Sequence, residues 1–128
     1  MFGERLFFAA EDGQEHGRQL WVTDGTAAGT MLLKDIQEGP SSSGAQSFVA
    51  FGHRLIFMAY DGEHGQEPWV TDGTPEGTNL LRDIWPGEQA SGWGSFFPLG
   101  DRAIFPADDG EHGWEPWSTD GTTEGTQL

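Results

Sequence analysis

The stretch Glu67-Pro68-Trp69-Val70-Thr71-Asp72-Gly73-Thr74-Pro75-Glu76-Gly77-Thr78 returns as Glu115-Pro116-Trp117-Ser118-Thr119-Asp120-Gly121-Thr122-Thr123-Glu124-Gly125-Thr126, identical at 10 of 12 positions. A looser copy precedes both: Gln19-Leu20-Trp21-Val22-Thr23-Asp24-Gly25-Thr26-Ala27-Ala28-Gly29-Thr30. Tryptophans at 21, 69 and 117 set a constant period of 48 residues. A fixed period of that length is the signature of a repeat architecture. Aligned on the tryptophans, the chain is a single repeat domain over 1–128, with repeats at 1–49, 50–97 and 98–128, the third cut short. The first repeat carries one extra residue in its acidic turn at 12–17.

The complete second repeat reads as four strands, expected at 47–51, 54–60, 67–71 and 78–84. Gly52-His53, the turn at 61–65 and the loop at 72–77 separate them. Asp-Gly and Gly-X pairs between apolar runs are strong hairpin signals. No window sustains a 3.6-residue apolar period, so no helix is expected. Leu55-Ile56-Phe57-Met58-Ala59-Tyr60 is apolar on both alternating faces and must be covered on both. Short turns within a repeat and a long crossing between repeats describe a β-propeller blade. The expected fold class is therefore all-β: four-stranded antiparallel blades, about 2.6 per chain, the ring being completed by oligomerisation or by a longer parent chain. A β-solenoid is the rival, but three tight hairpins per unit do not suit it. Pro98 suits a free inner edge, whereas Pro106 stands mid-strand and predicts a bulge or a shortened strand.

Charge and composition exclude several classes. The chain carries six Lys and Arg against 21 Asp and Glu, a net charge of −15. That disfavours nucleic acid and anionic membranes, which need clustered cations. There is no cysteine, hence no disulfide framework. Neither a membrane span nor a signal peptide is legible; Met1-Phe2-Gly3-Glu4-Arg5 lacks the basic and apolar regions of a leader.

The pattern Trp-X-Thr-Asp-Gly-Thr, then Gly-Thr, then Leu-Leu-Lys/Arg-Asp-Ile (Leu32–Ile36 and Leu80–Ile84) resembles the ELWxxDGT repeats of bacterial proteins. Pro68 and Pro116 depart from it at the leucine, and Gln19 at the glutamate. The resemblance implies tandem propeller-like repeats, an extracellular or cell-surface location, and no catalytic residues, because the family pattern is structural.

Residue by residue, Trp21, Trp69 and Trp117 are expected between blades, with glycan stacking as the alternative. Asp24, Asp72 and Asp120 are expected to bond amides of their own loops, with calcium as the alternative; their spacing does not match an EF-hand. Asp61, Glu63 and His64, repeated as Asp109, Glu111 and His112, form a polar hairpin or a loose divalent-cation site. His16 opens the same series. No structural metal or other cofactor is expected there. Trp85, Trp93 and Trp114 are not repeated, since Gln37, Ala45 and Gln66 stand at those positions. Strand alternation puts them on one side with the three histidines. Aromatic rings beside carboxylates make a candidate glycan surface, the alternative being local loop packing.

Near-identical repeats favour multivalent binding or adhesion over a single catalytic centre. A purely structural or self-assembling segment is the second reading, and an enzyme the third. Paired carboxylates such as Asp108 and Asp109 are candidates for acid and base, but their adjacent turn positions argue for solvation. An arc of fewer than three complete blades would expose two apolar faces. The expectation is a homodimer supplying about six blades, with a fragment of a larger propeller as the alternative.

Overall fold

A computed structural model describes residues 3–13 and 15–128. Met1, Phe2 and Gln14, the last within the first acidic turn, lie outside the described residues. The chain is all-β, with three antiparallel sheets of three, four and three strands. Sheet 1 contains β1 (Leu6–Ala10), β2 (Gln19–Thr23) and β3 (Met31–Lys34). Sheet 2 contains β4 (Gln46–Phe51), β5 (Arg54–Ala59), β6 (Glu67–Thr71) and β7 (Asn79–Leu80). Sheet 3 contains β8 (Phe97–Leu99), β9 (Arg102–Asp108) and β10 (Trp114–Thr119). Each sheet is a meander in which sequential strands pair. The alignment boundaries at 50 and 98 fall inside β4 and β8, so the sheets actually change over within the crossings 35–45 and 81–96.

Among the described residues, only the second repeat, the one read as complete, forms four strands; sheet 1 holds the counterparts of strands two to four, and sheet 3 those of one to three. Two expectations need correction. Strand four, expected at 78–84, is the two-residue β7. Leu81 still donates to the Pro68 carbonyl at 2.8 Å, but the amides of Ile84 and Trp85 then turn to the Glu67 carboxyl instead of a neighbouring strand. In sheet 3, a single bridge between Ser118 and Gln127 stands in that place.

Pro106 neither bulges nor shortens its own strand: β9 is seven residues long and pairs with β10 without a shift. Ser118 faces outward, exchanging bonds with Gln127, and so does Pro116 two residues earlier. Pro106 lies opposite Pro116 and therefore turns its missing N–H toward the β8 side. There β8 ends at Phe97, opposite Ile104. The shortening falls on the partner strand, whose counterpart β4 runs on to Gln46 opposite Met58 through a bulge.

The core lies between sheets. One cluster joins Phe7, Leu20, Val22, Leu33 and Ile36 of sheet 1 to Leu55, Phe57, Ala59 and Trp69 of sheet 2. A second joins Ile56, Met58, Leu81 and Ile84 to Ala103, Phe105, Ala107 and Trp117 of sheet 3. Sheets 2 and 3 thus each present their tryptophan side, here the front, to the back of the sheet before. Among the described residues, no cluster joins sheet 3 to sheet 1. Burying a tryptophan ring of roughly 150–250 Å² contributes on the order of 4–6 kcal/mol to a junction.

Candidate functional site

The crossings and the turns between second and third strands share one side of the molecule, as alternation requires. Gly17 donates to Gly39 and Gly65 to Gly87, tying turn to crossing. Ser43 and Ser91 then tie sheet to sheet. Each is fully buried, donates its amide to the carbonyl of Arg18 or Gln66, and accepts at its own carbonyl from the amide of Tyr60 or Asp108 of the next sheet.

This side receives the three non-repeated tryptophans, but not as one platform. Trp85 is half-buried: its indole Nε1 lies 2.6 Å from where a Cβ on Gly110 would stand. It packs under the β9–β10 turn, as Gln37 does under Gly62. Trp93 is 66% exposed, although its counterpart Ala45 is buried. Trp114 is 57% exposed, with its ring 3.7 Å from a Cβ on Gly92. Its counterpart Gln66 instead donates to the Gly44 carbonyl at 3.2 Å. Trp93 and Trp114 are therefore both exposed along the 92–94 segment, and Trp85 is withdrawn from them. Glu111 and Glu115 are exposed in the turn and strand beside Trp114.

The acidic turns spend their ligands internally. Asp61 Oδ1 accepts from the amides of Glu63 and His64, and Oδ2 pairs with His64 Nδ1 at 2.8 Å. Asp109 and His112 repeat this at 2.7 Å, and Asp12 and His16 at 2.6 Å. The other ring nitrogen reaches toward a strand-four aspartate: His64 to Asp83 at 3.9 Å and His16 to Asp35 at 3.8 Å. The carboxylate bond raises all three imidazoles above their usual pKa. Asp61 is lowered by the bonds it accepts, against burial, and Asp109 falls to about 2 through its bonds from His112 and Glu111. Glu63 and Glu111 point into solvent. Among the described residues, no group of three such side chains converges to hold a metal. Asp108 Oδ1 caps the Gly110 amide, so neither member of the Asp108–Asp109 pair is poised for acid–base work.

The Asp-Gly-Thr loops lie on the opposite side and are closed networks. Asp72 Oδ1 accepts from the amide and hydroxyl of Thr74 at 2.9 and 2.7 Å. Thr74 Oγ1 in turn accepts from Gly77, and Thr71 and Thr78 join hydroxyls at 2.7 Å. Asp24 and Asp120 repeat the arrangement. The threonine bonds hold all three carboxyls below the usual aspartate range. Of the repeated tryptophans, Trp69 and Trp117 are each 6% exposed within junctions, while Trp21 is half-buried on the uncovered front of sheet 1.

Glu67 is the residue that sequence reasoning missed. It is fully buried, and burial pushes its carboxyl from the ordinary value of 4.5 to about 7, with the Asp83 charge adding to the rise. The available signal was its alignment with the neutral Gln19. Comparison with protein-family models, curated proteins and solved structures finds no match to this chain.

Proposed function

We propose that this chain is a non-catalytic binding module of β-propeller type whose ligand is a glycan, held on the crossing side by Trp93 and Trp114. The exposure of both indoles along the 92–94 segment carries the reading. An exposed indole offers a flat apolar face to a sugar ring, and the exposed carboxylate of Glu111 in the adjoining turn accepts its hydroxyls. A repeat that places one such pair per chain gains strength through multivalency. Three meanders, the second and third of which direct a tryptophan at the preceding sheet, support the blade reading. The resemblance to tandem repeats of surface proteins extends the proposal to a location outside the cell. Among the described residues, no helix is long and apolar enough to cross a membrane.

A glycan array probed with multivalently displayed chain tests this. The wild type is expected to bind a defined subset of glycans, and the Trp93→Ala/Trp114→Ala variant to lose that binding while keeping its fold. An empty array, or equal binding by the variant, overturns the proposal.

A further inference from the structure

The two interior junctions are built alike, and each end of the chain presents half of another. Between sheets 1 and 2, Arg5 donates to the Gly73 carbonyl at 3.3 Å, and the Phe7 ring lies 3.5 Å from a Cβ built on Gly73. Between sheets 2 and 3, Arg54 donates to the Gly121 carbonyl at 2.6 Å, and the Phe51 ring lies 3.2 Å from a Cβ there. A second cation repeats the theme: Lys34 donates to the Thr78 carbonyl and Arg82 to that of Thr126. Each junction thus sets cations of one sheet on carbonyls of the next sheet's Asp-Gly-Thr loop.

Gly25 holds the same place in sheet 1, in a loop with the same internal bonds, yet nothing lies within 4 Å of its Cβ position. At the other end stands Arg102, the counterpart of Arg5 and Arg54. It donates to Ser118 Oγ and the Gly125 carbonyl of its own repeat instead of to a loop of another sheet. The apolar surroundings match too. Leu6 is 47% exposed on the front of sheet 1, and Phe97 and Leu99 are 60% and 68% exposed on the back of sheet 3. Their counterparts are Ala103 for Leu6, and Val49 and Phe51 for Phe97 and Leu99. Those three residues belong to one cluster, between sheets 2 and 3.

We propose that a second copy of this chain covers these faces head to tail: the back of sheet 3 in one protomer takes the front of sheet 1 in its partner, and two such contacts close a dimer of six sheets. Arg102 then leaves its own repeat and donates to the Gly25 carbonyl of the partner subunit. A like-with-like contact would leave the arginine and the glycine loop unserved, whereas the head-to-tail contact reproduces a junction already formed twice within the chain. Contacts between different surfaces close into a ring or run on as a fibre, and six units lie within the usual range for a propeller. Trp114 shares the back of sheet 3 with Phe97, Ile104 and Pro106 and so lies at the edge of this contact; the proposal rests on the repeated junction and is read by molecular mass, so glycan binding can fail without affecting it.

Light scattering at micromolar concentration, with circular dichroism to verify folding, tests the proposal on the wild type, on Leu6→Lys and on Phe97→Glu. Both substitutions fall on exposed side chains, so the fold is expected to persist. The wild type is expected at twice the 14.0 kDa chain mass. Each variant alone sets a charge against apolar surface at both contacts, and its dimer dissociation constant is expected to rise at least about tenfold. An equimolar mixture is expected to restore the dimer: one contact is then wild-type and the other pairs Lys with Glu. A folded wild-type monomer, a dimer indifferent to either charge, failure of the mixture to restore it, or an open-ended series of larger species would each overturn the proposal.

Discussion

Gln19 and Glu67 occupy one position in successive repeats and meet the same backbone, so the difference between them isolates the effect of a charge. Gln19 Oε1 accepts from the amides of Ile36 and Gln37, while its Nε2 donates to the carbonyls of Gln37 and Ser41. Glu67 accepts from Ile84 and Trp85 in the same way. It has no N–H for the carbonyls of Trp85 and Gln89, which the repeat sets in the place of Gln37 and Ser41. A proton supplies that donor, consistent with a carboxyl pushed up to about 7 by burial. The folded state keeps this proton over a range in which the unfolded chain, titrating near 4.5, has released it. Stability from this group is therefore complete below about 4.5 and is lost as pH rises through about 7. Glu67→Gln is expected to remove that slope. Urea unfolding at pH 5 and pH 8 should show the variant gaining on the wild type by on the order of 1–3 kcal/mol at the higher pH. Parallel stabilities at the two values would contradict the assignment. Glu115, at the same position in the third repeat, is exposed.

The Asp-Gly-Thr loop is the element that the sequence reveals most completely, because every bond in it is local. Asp72, Thr74 and Thr78 lie within one turn of each other, and Gly73 takes a φ of +93° that suits glycine. Gly77 is required for space: a Cβ there would stand 2.0 Å from Asp72 Oδ1. Gly77→Ala is expected to cost about 1–3 kcal/mol in urea unfolding. In an Asp72→Ala background it should cost much less, since the clashing carboxylate is gone. Additive losses would show that the loop does not work as a unit. The first three strands of the second repeat were equally legible, since turns and alternation mark them locally. What escaped the sequence depends on distant partners. That strand four stops short of Ile84 follows from Glu67 capturing the amides of Ile84 and Trp85. The smooth passage of Pro106 follows from which way its missing donor turns. The withdrawal of Trp85 from the exposed tryptophans follows from Gly110, a residue of the next sheet.

At the scale of the whole molecule, the period of 48 residues means that one junction is written repeatedly, and the structure shows how. Trp69 and Trp117, the front tryptophans of sheets 2 and 3, pack on the sheet before, and Arg54 at the start of β5 reaches forward to the loop after β10. Trp117 adds the Arg82 guanidinium 5.6 Å from its ring centre, a further tie across the same junction. The order of sheets is thereby fixed as 1, 2, 3, each front against the previous back, and the uncovered faces at the two ends follow from the same rule. That order is the central claim, and nuclear Overhauser contacts in the isotope-labelled chain test it most directly. The Phe7 ring is expected to show contacts to the Hα protons of Gly73, and the Phe51 ring to those of Gly121. If instead those glycine protons show contacts only to residues of their own repeat, or if the Phe7 ring contacts Gly121 in place of Gly73, the front-to-back stacking of sheets is wrong.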